Sequence, residues 1–117
     1  MTLTCLQSQN KTKPMYSEVF DLKMGDSVQL QDESITIKFL DVAEDSRCPK
    51  GATCIWEGNA RIILRISRQD TSLNTAFKPK IMNYMKYQIK LIEVKPYPRV
   101  DRKIKQEDYL IKLNITK

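Results

Sequence analysis

Cys48 and Cys54 flank Pro49-Lys50-Gly51-Ala52-Thr53, a stretch of turn formers that can bring the two thiols together. Three chemistries are open to such a pair: a disulfide, a metal site or a redox-active dithiol. Zinc requires four ligands, commonly paired Cys or Cys with His, and the chain has no His and only one further cysteine, Cys5. A redox-active pair is expected at the closer C-x-x-C spacing, which activates one thiolate. The residues therefore favour a Cys48–Cys54 disulfide, with no metal and no cofactor. Such a bond closes a short loop and stabilises by about 2 kcal/mol through the unfolded chain. It belongs to an oxidising compartment: secreted, periplasmic or cell-surface.

The lack of His also removes the Ser/His/Asp triad, the Cys/His dyad and the commonest general base at neutral pH. Paired carboxylates can do acid–base work without it, and Asp41, Glu44, Asp45 and Glu57 lie near the cysteines. Nothing in their spacing distinguishes them from solvated loop acids, so the chain reads as non-enzymatic.

The segment from Asp45 to Asn59 nevertheless gathers both loop cysteines, the only Trp and two of the three glycines. Two readings account for that density. In the structural one, a disulfide-closed loop bridges two sheets, Trp56 packs on the S–S bond or caps the core, and Arg47 pairs with Asp45 or Glu57. In the functional one, the rigid loop presents Arg47, Lys50, Trp56 and Glu57 to a partner, Trp and Arg being the residues that dominate interface energetics.

Charge is unevenly distributed. The 117 residues carry 20 Lys and Arg against 14 Asp and Glu, a net +6. Residues 1–58 hold 6 basic and 9 acidic side chains, net −3, and residues 59–117 hold 14 and 5, net +9. A basic half attracts phosphate backbones, anionic headgroups or acidic proteins, and Tyr84, Tyr87 and Tyr97 are available to stack on bases. No run of alternating aromatic and basic residues forms a platform, however. Lys86, Lys90, Lys112, Arg61 and Arg65 instead fall on the solvent side of alternating strands, so nucleic acid is not the expected partner.

Those strands are the elements that must position the loop. Hydrophobic residues recur with a period of two and almost never with helical spacing, and the length suits one domain. Val19–Lys23 and Ser27–Gln31 read as strands around a Met24-Gly25-Asp26 turn, with a second turn at Asp32-Glu33. Ser34–Val42 alternates at Ile35, Ile37 and Phe39 and then changes phase at Leu40, as a bulge causes. Asn59–Arg68 alternates at Ala60, Ile62, Leu64 and Ile66. Residues 69–84 are polar and irregular, with Leu73 and Phe77 marking a short edge strand. Met85–Val94 slips phase at Ile92, Pro96-Tyr97-Pro98 stops pairing, and a last strand begins at Tyr109, placed to hydrogen-bond back across a corner. About seven strands in one domain predict an all-β antiparallel sandwich of immunoglobulin type, with a small β-barrel as the second choice. No apolar run approaches the roughly 20 residues of a spanning helix, and a soluble monomer is expected.

Residues 1–16 read as a disordered tether or the remnant of an export signal, and 17–117 as the domain. Cys5, followed by a polar stretch, is the candidate lipid anchor. Thr4 and Thr2 depart from the small residue and Leu usual before a lipidated cysteine. Asp45-Ser46-Arg47-Cys48-Pro49, Cys54-Ile55-Trp56-Glu57-Gly58-Asn59-Ala60 and Pro96-Tyr97-Pro98 together resemble a group of small exported bacterial proteins and lipoproteins of uncharacterised function. The resemblance covers roughly residues 17–117 and implies export, a β-rich fold and no particular activity. The expectation is a secreted, periplasmic or outer-membrane-anchored module that binds a protein or a surface polymer. Protease inhibition and nucleic-acid binding are the alternatives, and any membrane contact would run through the lipid.

Overall fold

Alternating side chains put one face of each strand into a shared interior. From Ala60 to Ile66 every second residue is buried, and Arg61 and Arg65 between them face solvent. A computed structural model describes residues 18–30 and 35–117 of the chain. Among them are eight strands: β1 (Val19–Lys23), β2 (Ser27–Gln29), β3 (Thr36–Asp45), β4 (Ala60–Ile66), β5 (Gln69–Asn74), β6 (Ile81–Tyr84), β7 (Tyr87–Lys95) and β8 (Leu110–Thr116). The 3-10 turn Gln106–Asp108 precedes β8.

All pairings between these strands are antiparallel. One sheet has the order β2-β3-β4-β5 and the other β1-β8-β7-β6. Two four-stranded sheets enclose a core that includes Phe39, Ile62, Leu64, Ile89, Ile111 and Leu113, each burying a side chain worth about 1.5–3 kcal/mol. The expected sandwich is therefore present, and the sheets do not close into a barrel. The strand order is a meander: apart from β1–β8, each hydrogen-bonded pair joins strands consecutive in the chain. Immunoglobulin domains instead exchange strands through Greek-key connections, so the likeness to them stops at two packed sheets.

Both expected phase changes are bulges. The β3–β4 register shifts between Phe39 and Asp41, and the β7–β8 register between Leu91 and Glu93. The first bulge coincides with the corner where the chain changes sheets. Gly25, at φ +85°, donates its N–H to Phe39 O at 2.9 Å, and Phe39 N–H returns a bond to Asp26 O at 3.0 Å.

Eight strands replace the seven expected, because residues 69–84 contain two strands rather than one. β5 buries only Leu73 and Asn74, and β6 buries no residue fully. The hairpin turns beside them are Ser67-Arg68 and Met85-Lys86, with Ser67 and Met85 at φ +56° and +53°. Such turns usually carry Gly or Asn, so the residue types concealed them, and the strands on either side end at Ile66 and begin at Tyr87 rather than running to Arg68 and from Met85. Smaller boundary differences are β2, which stops at Gln29, and β3, which runs on to Asp45. The Asp32-Glu33 turn, the 1–16 tether and Cys5 lie outside the described residues. No helix among the described residues is long and apolar enough to cross a membrane.

The meander sorts the connections by end. β3, β5 and β7 finish at one end of the sandwich, from which the long segments 46–59, 75–80 and 96–109 emerge. The two-residue turns lie at the other end.

Candidate functional site

The expected disulfide is present: Cys48 and Cys54 are joined with an S–S distance of 2.05 Å. Loop 46–59 closes like a hairpin, with Ser46 N–H donating to Asn59 O at 2.7 Å and Cys48 N–H to Glu57 O at 2.8 Å. Gly58, at φ +81°, makes this closure sterically feasible, since a Cβ there would run into the carbonyl of Ser46. The loop is also tied to the β7–β8 connection: Lys50 N–H donates to Pro98 O and Val100 N–H to Lys50 O, at 2.9 and 3.1 Å.

Arg47 secures the foot of the loop. It is 8% exposed, and it forks onto Asp45 through Nε to Oδ1 and Nη2 to Oδ2, both at 2.8 Å. Nη1 donates to Val94 O at 2.6 Å and Nη2 to Pro96 O at 3.0 Å, so the side chain crosses from one sheet to the end of the other. Only the planar, five-donor guanidinium can serve a carboxylate and two carbonyls together. Tyr109, just before β8, donates its phenolic O–H to Asp45 Oδ2 at 2.8 Å. Burial pushes the Asp45 carboxyl up, but the bonds from Arg47 and Tyr109 outweigh it and hold the group below the usual carboxylate range. Burial and that same bond push the Tyr109 hydroxyl up to about 12. Of the two roles open to Arg47, the structure gives it the ion pair with Asp45 and withdraws it from the displayed surface.

Asn59 and Asn74 are buried polar residues that the sequence did not single out. Asn59 Nδ2 donates to Asn74 Oδ1 at 3.0 Å, and Asn59 Oδ1 accepts from Ala76 and Phe77 N–H at 2.9 and 3.3 Å. Asn74 Nδ2 donates to Pro79 O at 3.2 Å. Buried side-chain amides must be satisfied, and here they do so by folding segment 75–80 beside the disulfide loop. The only available signal was an Asn placed directly after Gly58, at the entry to a strongly apolar strand.

This arrangement brings Phe77 against Trp56, with ring centroids 5.3 Å apart and planes 15° from parallel. Trp56 therefore stacks on Phe77 and, half exposed, does not cap the core. The rings are 51% and 50% exposed, and Ile55 beside them is fully exposed. Ile92, Tyr97 and Val100 are exposed at the same end, so six of the nine exposed large hydrophobic residues among those described cluster there.

Next to the stacked rings is a cleft of about 250 Å³. Glu57, Gly58, Thr75 and Ala76 line it from one group of loops, and Ile92, Glu93, Val94 and Tyr97 from β7 and the segment after it. Arg47 joins the two groups, its backbone against Gly58 and its guanidinium 5.2 Å from the centre of the Tyr97 ring. Glu57 thus lines the cleft, and Lys50 is exposed on the loop.

The remaining candidate residues do not converge. Asp45 lies opposite Ala60 with its carboxylate consumed, whereas Glu44 lies opposite Arg61 and accepts from Ser46 Oγ at 3.0 Å. Asp41 is exposed farther down β3. No group of three or more Cys, Asp or Glu among the described residues is arranged to hold a metal ion. Tyr84 and Tyr87 pair across the far hairpin, away from Tyr97, and Tyr87 is buried.

No protein-family model matches this chain, and neither any curated protein nor any solved structure matches it.

Proposed function

We propose that the chain is a non-enzymatic binding module of an extracytoplasmic compartment, engaging a protein or surface polymer through the loop end of its sandwich. One observation carries this reading: five of the nine exposed large hydrophobic residues among those described lie on loops 46–59, 75–80 and 96–109, and Ile92 on β7 adjoins them, whereas the two-residue turns of the opposite end expose only Met85 of the nine. Contiguous exposed apolar surface is a mark of interaction sites, and rigid sheets commonly carry recognition on their loops. The disulfide and the resemblance of residues 17–117 to exported bacterial proteins support the compartment.

The test is cross-linking of the purified protein to a bacterial envelope fraction, run beside the Trp56→Ala/Phe77→Ala double variant. A saturable adduct that the double variant weakens by about tenfold or more is expected. No saturable adduct, or one the double variant leaves intact, would overturn the reading.

A second reading, protease inhibition, is favoured by Ile55, which is fully exposed on a disulfide-closed loop. A panel of serine and cysteine proteases tests it: inhibition that Ile55→Asp abolishes supports it, and an uninhibited panel removes it.

A further inference from the structure

The cleft beside Trp56 and Phe77 has an unusual balance of charge for a chain of net +6. Four charged side chains belong to it or to its wall: Arg47, its partner Asp45, Glu57 and Glu93. Arg47 and Asp45 cancel each other in a two-bond ion pair. Among the described residues, neither the Glu57 nor the Glu93 carboxylate has an ion-pair or hydrogen-bond partner. Lys112 faces Glu93 in the β7–β8 register and Asp21 in the β1–β8 register, yet closes an ion pair with neither. The cleft therefore holds two carboxylates on which no ion pair closes, with Lys112 opposite one of them.

Much of its hydrogen-bonding capacity is already engaged. Three guanidinium nitrogens of Arg47 are engaged with Asp45, Val94 and Pro96, and Thr75 Oγ1 accepts from Ala60 N–H at 2.9 Å. Gly58, Ala76, Ile92 and Val94 offer no polar side chain. What remains for a ligand is the Glu57 and Glu93 carboxylates, which only accept, together with the Thr75 and Tyr97 hydroxyls and the second Nη1 N–H of Arg47. Two carboxylates with no ion-pair partner favour a cation with N–H donors.

Size and surroundings narrow the source. About 250 Å³ lies below the range of about 300–1,000 Å³ usual for whole drug-sized ligands, and it suits one extended side chain. Ile55, Trp56 and Phe77 next to the cleft leave more apolar surface than a small amine can cover. Resting on the binding-module reading, we infer that the cleft receives a Lys or Arg side chain of a protein partner whose apolar flank lies on Ile55, Trp56 and Phe77. The partner's cation sits between Glu57 and Glu93, and the aromatic pair covers the residues beside it.

The experiment is an NMR titration of the ¹⁵N-labelled protein with N-acetyl-arginine methylamide and N-acetyl-lysine methylamide. Controls are the uncharged N-acetyl-norleucine methylamide and a neutral hexose. Saturable shifts confined to the amides of residues 57–58, 75–76, 92–95 and 97 are expected with the two cations only. Glu57→Gln and Glu93→Gln should each weaken binding by about fivefold, and the double variant by more, with the rest of the spectrum unchanged. No shift at tens of millimolar, or equal shifts with norleucine, would overturn the inference. Stronger shifts with the hexose would overturn it in favour of a surface polymer. The envelope adduct separates this inference from the reading beneath it: an adduct that needs Trp56 but is indifferent to Glu57→Gln/Glu93→Gln rejects the cation pocket and leaves the binding module standing.

Discussion

Tyr109 and Asp45 are 64 residues apart in the chain, and the Tyr109 hydroxyl lies 2.8 Å from Asp45 Oδ2, joining the start of β8 in one sheet to the end of β3 in the other. With Arg47 on the same carboxylate, the bond makes one side-chain network the foot of the whole loop end. The loops that carry the proposed binding surface therefore depend on a polar cluster at the mouth of the core.

Removing the hydroxyl should be felt as stability. Tyr109→Phe keeps the ring in place and leaves Asp45 its two bonds from Arg47, so a loss of about 1–2 kcal/mol is expected. Urea unfolding followed by fluorescence measures it, and an unchanged midpoint would show that the bond contributes nothing.

Breaking the ion pair should cost more. Arg47→Met leaves the part-buried Asp45 carboxylate and the Val94 and Pro96 carbonyls without their donor, and a loss of about 2–4 kcal/mol is expected. Arg47→Lys should recover only a minor part of it, because an ammonium cannot fork onto Asp45 while reaching both carbonyls. Equal stability of the Lys variant and the parent would reject the clamp described above.

The same network sets a pH dependence at each extreme. The folded-state pKa of Asp45 is lowered, so its contribution is present above its unfolded value near 3.8 and is lost as pH falls through the lower folded value. Tyr109 is shifted the other way: its contribution is complete below about 10 and is lost as pH rises toward about 12. Unfolding free energies measured from pH 6 down to 2 and from 9 up to 12 should therefore fall at both ends. Asp45→Asn should flatten the acid limb and Tyr109→Phe the alkaline one.

Two glycines with nearly the same φ should differ under one substitution. Gly25→Ala meets open space, so only its positive φ of +85° opposes it, at a cost of about 1–2 kcal/mol. Gly58→Ala combines φ +81° with a collision against the Ser46 carbonyl and should destabilise clearly more. Thermal unfolding of the two variants decides it, and equal melting points would contradict the close approach.

The disulfide offers a chemical check. Alkylation of the unfolded protein without reductant should label Cys5 alone, and Cys48→Ser/Cys54→Ser should lose about 2 kcal/mol. Labelling of all three thiols after mild oxidation would remove both the bridge and the support it lends to an extracytoplasmic compartment.

Strand existence was legible wherever a side chain's fate depends on its own alternation. Ile35, Ile37 and Phe39, or Ala60 through Ile66, announce one buried face, and the slips at Leu40 and Ile92 announce the bulges, because inserting one residue moves every later side chain to the other face. Of the edge strands β5 and β6, only one was legible, through Leu73, since an edge strand buries little and its polar residues satisfy no visible pattern. The turns at Ser67 and Met85 were hidden by residue types that rarely take positive φ.

The loop divides along the same line. An all-β chain and a disulfide between Cys48 and Cys54 follow from the residues alone, because local spacing and the composition of a short loop decide both. The sequence also concentrates Arg47, Trp56 and Glu57 in one segment without assigning them roles. Long-range packing makes Arg47 a buried clamp reaching Val94 and Pro96, sets Trp56 on Phe77, and puts Glu57 in one cleft with Glu93. Each of those partners is distant in sequence. The packing of two sheets, with two buried asparagines folding segment 75–80 against the loop, is what brings them within reach.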